Sequence, residues 1–236
     1  MNFVLVHGTW LGGWCWRDVA RLLRAAGHDV YTPTLTGLGE RAHLFNPTIR
    51  LSTFIDDICA VIQCEELRDV ILVGHSFGGI VVSGVIDRIP AAIKQVIFVD
   101  ALIAQNGQAA ITVLPPAVQA QRAQTEDPDE LRLGISTPDK FGMLDPQQLA
   151  WVMRLARAHP MHSYTEPLAL RFLLGNGLPI TYVAMTKPAY APLAAVHDWA
   201  KQHSGWTWRE LEAGHVPMIT APELLARELL DIVNPK

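Results

Sequence analysis

Short runs of wholly apolar residues alternate along the chain with longer stretches in which apolar positions recur every three or four residues. The runs predict strands at Phe3–Val6, from His28 to Pro33, at Val70–Val73 and Gln95–Val99, and over 179–185 and 206–211. The stretches between them predict helices. Arg17–Ala26 is closed by Gly27, which suits a left-handed C-terminal cap. Ser52 is placed to cap a helix running to about Glu66, and Ile80–Ile89 ends against Pro90. The final helix opens on Thr220-Ala-Pro-Glu223, a capping-box pattern with Pro222 in the first turn. Strands that are apolar throughout and separated by helices indicate an α/β fold, with a mostly parallel sheet covered by helices on both faces.

Between Ala104 and about Asn176 the alternation stops. This stretch holds Pro115 and Pro116, the charged patch Glu126-Asp127-Pro128-Asp129-Glu130, and two amphipathic segments, Leu149–Ala158 and Glu166–Leu174. It is too long for a plain connection and too patterned for a disordered linker. It predicts a helical cap at 104–176, inserted into a single domain whose core is 1–103 and 177–236. No internal repeat or low-complexity tract interrupts that division.

Composition narrows the function. The 236 residues are 50% hydrophobic and 18% charged, enough for one sizeable core. A net charge of −4, with Lys and Arg scattered, gives no reason to expect nucleic acid or an anionic membrane as partner. No apolar run approaches the ~18 residues of a membrane helix. The three cysteines, Cys15, Cys59 and Cys64, match no metal or redox spacing and read as free thiols in a reducing compartment. The N-terminus lacks the basic start and apolar stretch of a signal peptide, so a soluble cytoplasmic protein is expected. The sequence leaves open whether it forms a homo-oligomer.

The chemistry is concentrated in three places. Gly74-His75-Ser76-Phe77-Gly78 matches G-x-S-x-G, with the predicted strand Val70–Val73 running into it and a helix leaving it. A sharp strand-to-helix turn lifts a serine hydroxyl above the sheet edge, at the amino end of a helix where developing negative charge is favoured. A serine hydroxyl needs a base to take its proton. His215 lies between the strand at 206–211 and the terminal helix, where such a base is expected. The first strand ends in His7-Gly8-Thr9-Trp10, a small loop whose backbone can approach a reacting carbonyl. The N–H groups of Thr9 and Phe77, with Trp10 the weaker alternative to Thr9, are the expected oxyanion donors. His7 and His75 flank these loops as lining or bracing residues, and His159 and His162 lie in the cap. No His-Glu-x-x-His or Cys/His cluster argues for a metal, and no cofactor is expected.

On these motifs the chain resembles the small α/β-hydrolases of the esterase, methylesterase and hydroxynitrile lyase group. FVLVHGTWLGGWCW at 3–16, LTGLGER at 35–41, VILVGHSFGG at 70–79 and GHVPMITAPELL at 214–225 carry the resemblance, in order and at the group's spacing. It implies hydrolysis of carboxylic esters; similar bacterial members act on bulky esters such as pyrethroids, and similar plant members demethylate small ester hormones. The lyase branch carries a threonine where this chain has Gly8, and a lysine where it has Val216. Without that lysine no cation is evident to stabilise a cyanide leaving group, so ester hydrolysis is favoured.

The resemblance also exposes a gap. The group usually places the triad's carboxylate after the strand at 179–185, yet Thr186-Lys187-Pro188-Ala189-Tyr190-Ala191-Pro192 contains no acid. Some members of the fold place it at the end of the strand after the nucleophile helix, where this chain has Asp100. Asp100 is therefore favoured; Asp198 and a dyad without an acid are the alternatives. The expected substrate is a small ester with apolar groups. Trp10, His75 and Trp151 are the candidate contacts, with Leu114, Met143, Met153, Met161 and Phe172 as further apolar cap residues. Two other readings stand beside the esterase: a lyase or cofactor-free reaction on the same scaffold, and a small-molecule receptor with little turnover.

Overall fold

The computed structural model describes residues 1–124, 126–127, 131–135 and 144–234, without the side chains of 126 and 127. Six strands form one sheet: β1 (Asn2–Val6), β2 (Asp29–Tyr31), β3 (Val70–His75), β4 (Ile93–Val99), β8 (Ile180–Met185) and β9 (Trp206–Leu211). Their order is β2-β1-β3-β4-β8-β9, and every pairing is parallel. β3 and β8 are buried at every residue. Side chains alternate between faces along a strand, so continuous burial means that both faces are covered. Helix α1 (Arg17–Ala25) packs on α9 (Pro222–Val233), and α2 (Leu51–Cys64) packs on α3 (Gly78–Arg88), forming the covering layers.

The strand order places the functional loops. From β1 the chain steps outward to β2, then returns to the other side of β1 as β3. The loops leaving β1 and β3 therefore part at a topological switch point, at the carboxyl ends of the strands, where α/β sheets bind ligands. Leu5 pairs with Val73 and Val73 with Ile97, so β1, β3 and β4 end nearly level.

Between β4 and β8 the chain builds α4 (Pro116–Gln124), α5 (Pro146–Leu155), α6 (His162–Thr165) and a three-stranded antiparallel sheet of β5 (Glu126–Asp127), β6 (Arg132–Leu133) and β7 (His159–Pro160). The insertion thus carries a small sheet beside its helices. The helix expected over Glu166–Leu174 is absent. Pro167 forces the preceding residue out of the helical region, and Glu166 is extended at φ −68°, ψ 124°. The amides that follow find partners elsewhere: Leu168 on the Gln108 carbonyl, and Arg171 and Phe172 on the Asp87 carboxylate.

Two expected helix caps also differ. Arg50, not Ser52, stands at the N-terminus of α2. Ser52 lies inside the first turn, where its N–H and hydroxyl both donate to the Glu166 carboxylate, 2.6 and 3.0 Å away. An acid from the inserted segment thus sits on the positive end of α2. The capping box at Thr220 does not form. Thr220 closes the short helix α8 (Pro217–Thr220), and its hydroxyl donates to the Val216 carbonyl; Ala221 is left as the N-cap of α9. Gly27, by contrast, lies past α1 at φ +86°, in the left-handed region. Among the described residues no helix is long and apolar enough to cross a membrane.

Candidate active site

Ser76 occupies the turn between β3 and α3 with φ +52°. This left-handed conformation costs an L-residue roughly 1–2 kcal/mol. The turn is held by backbone bonds: the Ser76 N–H donates to the Val99 carbonyl, and the Ser76 carbonyl accepts from Gly79 and Leu102. It also needs its flanking glycines. A Cβ on Gly74 would stand 2.9 Å from the Gly78 carbonyl oxygen, and one on Gly78 would stand 2.7 Å from that of His7.

His215 follows β9 and brings its Nε2 to 3.1 Å from Ser76 Oγ. Its Nδ1 lies 2.6 Å from Oδ2 of Asp100, the residue after β4. Asp100 is completely buried. Burial alone pushes its carboxyl upward; hydrogen bonds from His197 and His215 outweigh that and hold it at about 2. Ionised Asp100 can only accept, so His215 carries its proton on Nδ1 and turns the Nε2 lone pair to the serine hydroxyl. Asp198 takes no part: it is exposed on α7 (Ala194–Gln202). The ring of Tyr190 stacks on that of His215, with centroids 4.0 Å apart and planes 19° from parallel.

The loop after β1 lies against this group. His7 is buried and donates Nδ1–H to the Gly8 carbonyl while its Nε2 accepts from Leu35 N–H. Burial lowers it to about 4, so it braces the loop as a neutral imidazole. No acceptor among the described residues takes the N–H of Thr9 or Phe77. The Trp10 N–H is turned instead to His159 Nδ1, 3.5 Å away, and the backbone there has φ +64°. His159 is buried with Phe54, Phe77 and Tyr164 around its ring, and burial drives its pKa well below the ordinary value. It therefore lies behind the loop, away from solvent. The Tyr164 hydroxyl bonds that of Thr9, completing a brace from the inserted segment.

A narrow cleft opens at Ser76, lined by Thr9, Trp10, Leu11, His75, Arg122, Tyr190, His215 and Val216. It holds about 20 Å³, room for little more than a water molecule. Of the expected contacts, Trp10 and His75 line it. His75 is nearly inaccessible and donates Nε2–H to the His215 carbonyl at 2.6 Å; burial, then neighbouring His215, lowers it to about 3. Trp151 does not reach the cleft. It packs edge-on against Trp14, with Arg17 over its ring. Leu114 and Met161 are buried in packing, Met153 and Phe172 are exposed, and none of the four lines the cleft. Met143 lies outside the described residues.

Sequence reasoning missed Arg122, Tyr190 and His197. Arg122 is buried on α4, its guanidinium 4.4 Å from the Tyr164 ring centre and 5.5 Å from that of Trp10. Nothing local in the sequence marks it. Tyr190 was open to discovery, since it sits in the very loop searched for an acid.

The comparisons agree with this fold. A model of the alpha/beta hydrolase family matches residues 3–228. A carbendazim hydrolyzing esterase of Nocardioides sp. (strain SG-4G) is 37% identical, over 97% of this chain and 98% of its own. Methylesterase 10 of Arabidopsis thaliana is 32% identical, over 98% and 91%. Among solved structures, an extracellular alpha/beta-hydrolase from a Paenibacillus species, described as sharing structural and functional homology with tobacco salicylic acid binding protein 2, superposes with a TM-score of 0.83 at 25% identity, covering both chains fully. The chain belongs to the alpha/beta hydrolase family. Within it, esterase relatives matched over nearly the whole length make it a carboxylesterase-type hydrolase.

Proposed function

We propose that the protein hydrolyses carboxylic esters through an acyl-enzyme on Ser76, with His215 as general base and Asp100 as the acid that orients it. One observation carries this reading: the unbroken line from Ser76 Oγ to His215 Nε2 (3.1 Å) and from His215 Nδ1 to Asp100 Oδ2 (2.6 Å), beside the two unclaimed amides of Thr9 and Phe77.

The steps follow from the geometry. His215 Nε2 takes the hydroxyl proton as Ser76 Oγ attacks the ester carbonyl. The carbonyl oxygen gains negative charge, and the N–H groups of Thr9 and Phe77, the latter at the amino end of α3, stabilise it. Buried, ionised Asp100 stabilises the imidazolium formed beside it. His215 then gives the proton to the departing alcohol. Water, activated by the same imidazole, attacks the acyl-enzyme and releases the acid.

The cleft supports a small ester. Leu11, Val216, Trp10 and Tyr190 offer apolar and aromatic surface beside Ser76 for the apolar groups of such an ester. Two relatives carry names for esterases, one of carbendazim and one a methylesterase. The free thiols Cys15, Cys59 and Cys64 support a reducing, cytoplasmic setting. The receptor reading rests on the acid missing after β8; the bond between Asp100, at the end of β4, and His215 supports the esterase reading instead.

The test is hydrolysis of a panel of aryl and alkyl esters by the wild type and by Ser76→Ala, with intact-mass detection of the acyl adduct after rapid quench. Turnover that disappears in Ser76→Ala, with an adduct on the wild type alone, supports the reading. Equal turnover by both proteins, or none by either, overturns it.

A further inference from the structure

Asp100 faces two histidines. Its Oδ2 accepts from His215 Nδ1 at 2.6 Å, and its Oδ1 lies 2.8 Å from Nε2 of His197 and 3.1 Å from the N–H of Met185. His197 comes from α7, which contributes no residue to the lining of the cleft. Its side chain is 14% exposed, and its ring is held edge-on by Tyr182 (5.7 Å) and Trp208 (5.8 Å). The Tyr182 hydroxyl in turn donates to the carbonyl of Ala101, the residue after the acid.

This arrangement meets two needs. A buried carboxylate is unfavourable unless its lone pairs are satisfied, and Asp100 has no access to solvent. A carboxylate bound through one oxygen can also swing about its side-chain bonds; tying the second oxygen fixes its plane. The backbone of Asp100 is fixed separately, at φ +44° with its N–H on the Val183 carbonyl, and the Met185 N–H shares Oδ1 with His197.

We propose that His197 is a positioning residue for the ester hydrolysis put forward above, holding Oδ1 of Asp100 so that Oδ2 stays in line with Nδ1–H of His215. The inference rests on that reading of Ser76, His215 and Asp100. It adds a fourth member to the relay, one that touches neither substrate nor serine. A misplacement of the acid by about 1 Å is enough to cost on the order of 100-fold in rate.

The test compares His197→Phe, which fills the space without a donor, with His197→Gln, whose Nε2 reaches as far as the imidazole's. His197→Phe lowers kcat by about 10–100-fold with KM nearly unchanged, and His197→Gln stays within a few-fold of wild type. In an Asp100→Asn background the same His197→Phe costs nothing further, because the group that it positions is already disabled. A His197→Phe enzyme with wild-type kcat, a His197→Gln enzyme as slow as His197→Phe, or additive losses in the double variant overturn the proposal. Thermal melts of both variants check that the fold is kept.

Ser76→Ala, run in the same assay, separates this outcome from failure of the esterase reading. A second readout needs no turnover: the far-downfield proton resonance of His215 Nδ1–H against Asp100. The proposal expects it in the wild type and in His197→Gln, moved upfield in His197→Phe and lost in Asp100→Asn. A resonance unmoved by His197→Phe overturns it.

Discussion

A Cβ placed on Gly8 would stand 2.8 Å from the Cβ of Ser76 and 3.0 Å from Nδ1 of His75. The loop after β1 and the serine turn after β3 thus approach to the limit set by a hydrogen atom. Thr9, the next residue, lines the same cleft as the serine. Gly8→Thr, which installs the residue of the lyase branch, must push Ser76 or His75 aside. Its kcat is expected to fall at least about 100-fold, and its melting temperature by several degrees, since overpacking typically costs about 1–3 kcal/mol. Wild-type kcat in this variant would show that the loop has slack and that the close approach is not needed.

Asp100→Asn keeps the shape of the acid and removes its charge. A neutral amide no longer dictates which nitrogen of His215 bears the proton, and kcat should drop by about 10⁴. Asp198→Asn, on the exposed side of α7, should leave kcat unchanged. Steady-state kinetics on the best ester of the panel decide between them. Loss of activity in Asp198→Asn alone would hand the role to the wrong residue for this geometry.

The buried imidazoles set the response of stability to acid. Burial lowers His7 to about 4 and His75 to about 3, and holds His159 well below its ordinary value. In the unfolded chain all three titrate near 6.5. Below pH 6.5 the unfolded state therefore binds protons that the folded state refuses, and each such proton weakens the fold further as pH falls. Asp100 works in the same direction lower down: folded near 2 against an ordinary 3.8, its contribution is present above 3.8 and lost as pH falls toward 2. The urea midpoint should be flat above pH 7 and fall steadily from pH 6.5 to 4. A midpoint constant down to pH 5 would mean that these rings are not buried as described.

Much of this was visible along the chain because the relevant signals are local. Val70–Val73 running into Gly-His-Ser-Phe-Gly reports a strand meeting a turn, and Val96-Ile97-Phe98-Val99 ahead of Asp100 reports an acid at a strand end. What escaped notice depends on contacts between distant segments. β5, β6 and β7 have two residues each, too few to show a period. Ser52 reads as a cap until Glu166, 114 positions later, takes its donors. Trp151 reads as a pocket residue until Trp14 claims its ring. His197 has no local mark, since only the fold brings α7 to the end of β4. The helix wrongly expected over Glu166–Leu174 is a different case: Pro167 was there to be read.

Because the acid rises from the end of a sheet strand, the segment 186–192 carries no charge for the proton relay. It is strapped to the end of β9, through Thr186 N–H to the Leu211 carbonyl and Lys187 N–H to that of Ala213, and it presents Tyr190 at the cleft. The charge that steadies the imidazole and the shape of the doorway are thereby assigned to separate stretches of chain, while Tyr190, stacked on the His215 ring, belongs to both. Such a division gives evolution, or an engineer, a stretch whose other positions can be exchanged to retune which molecules enter while the acid is left alone.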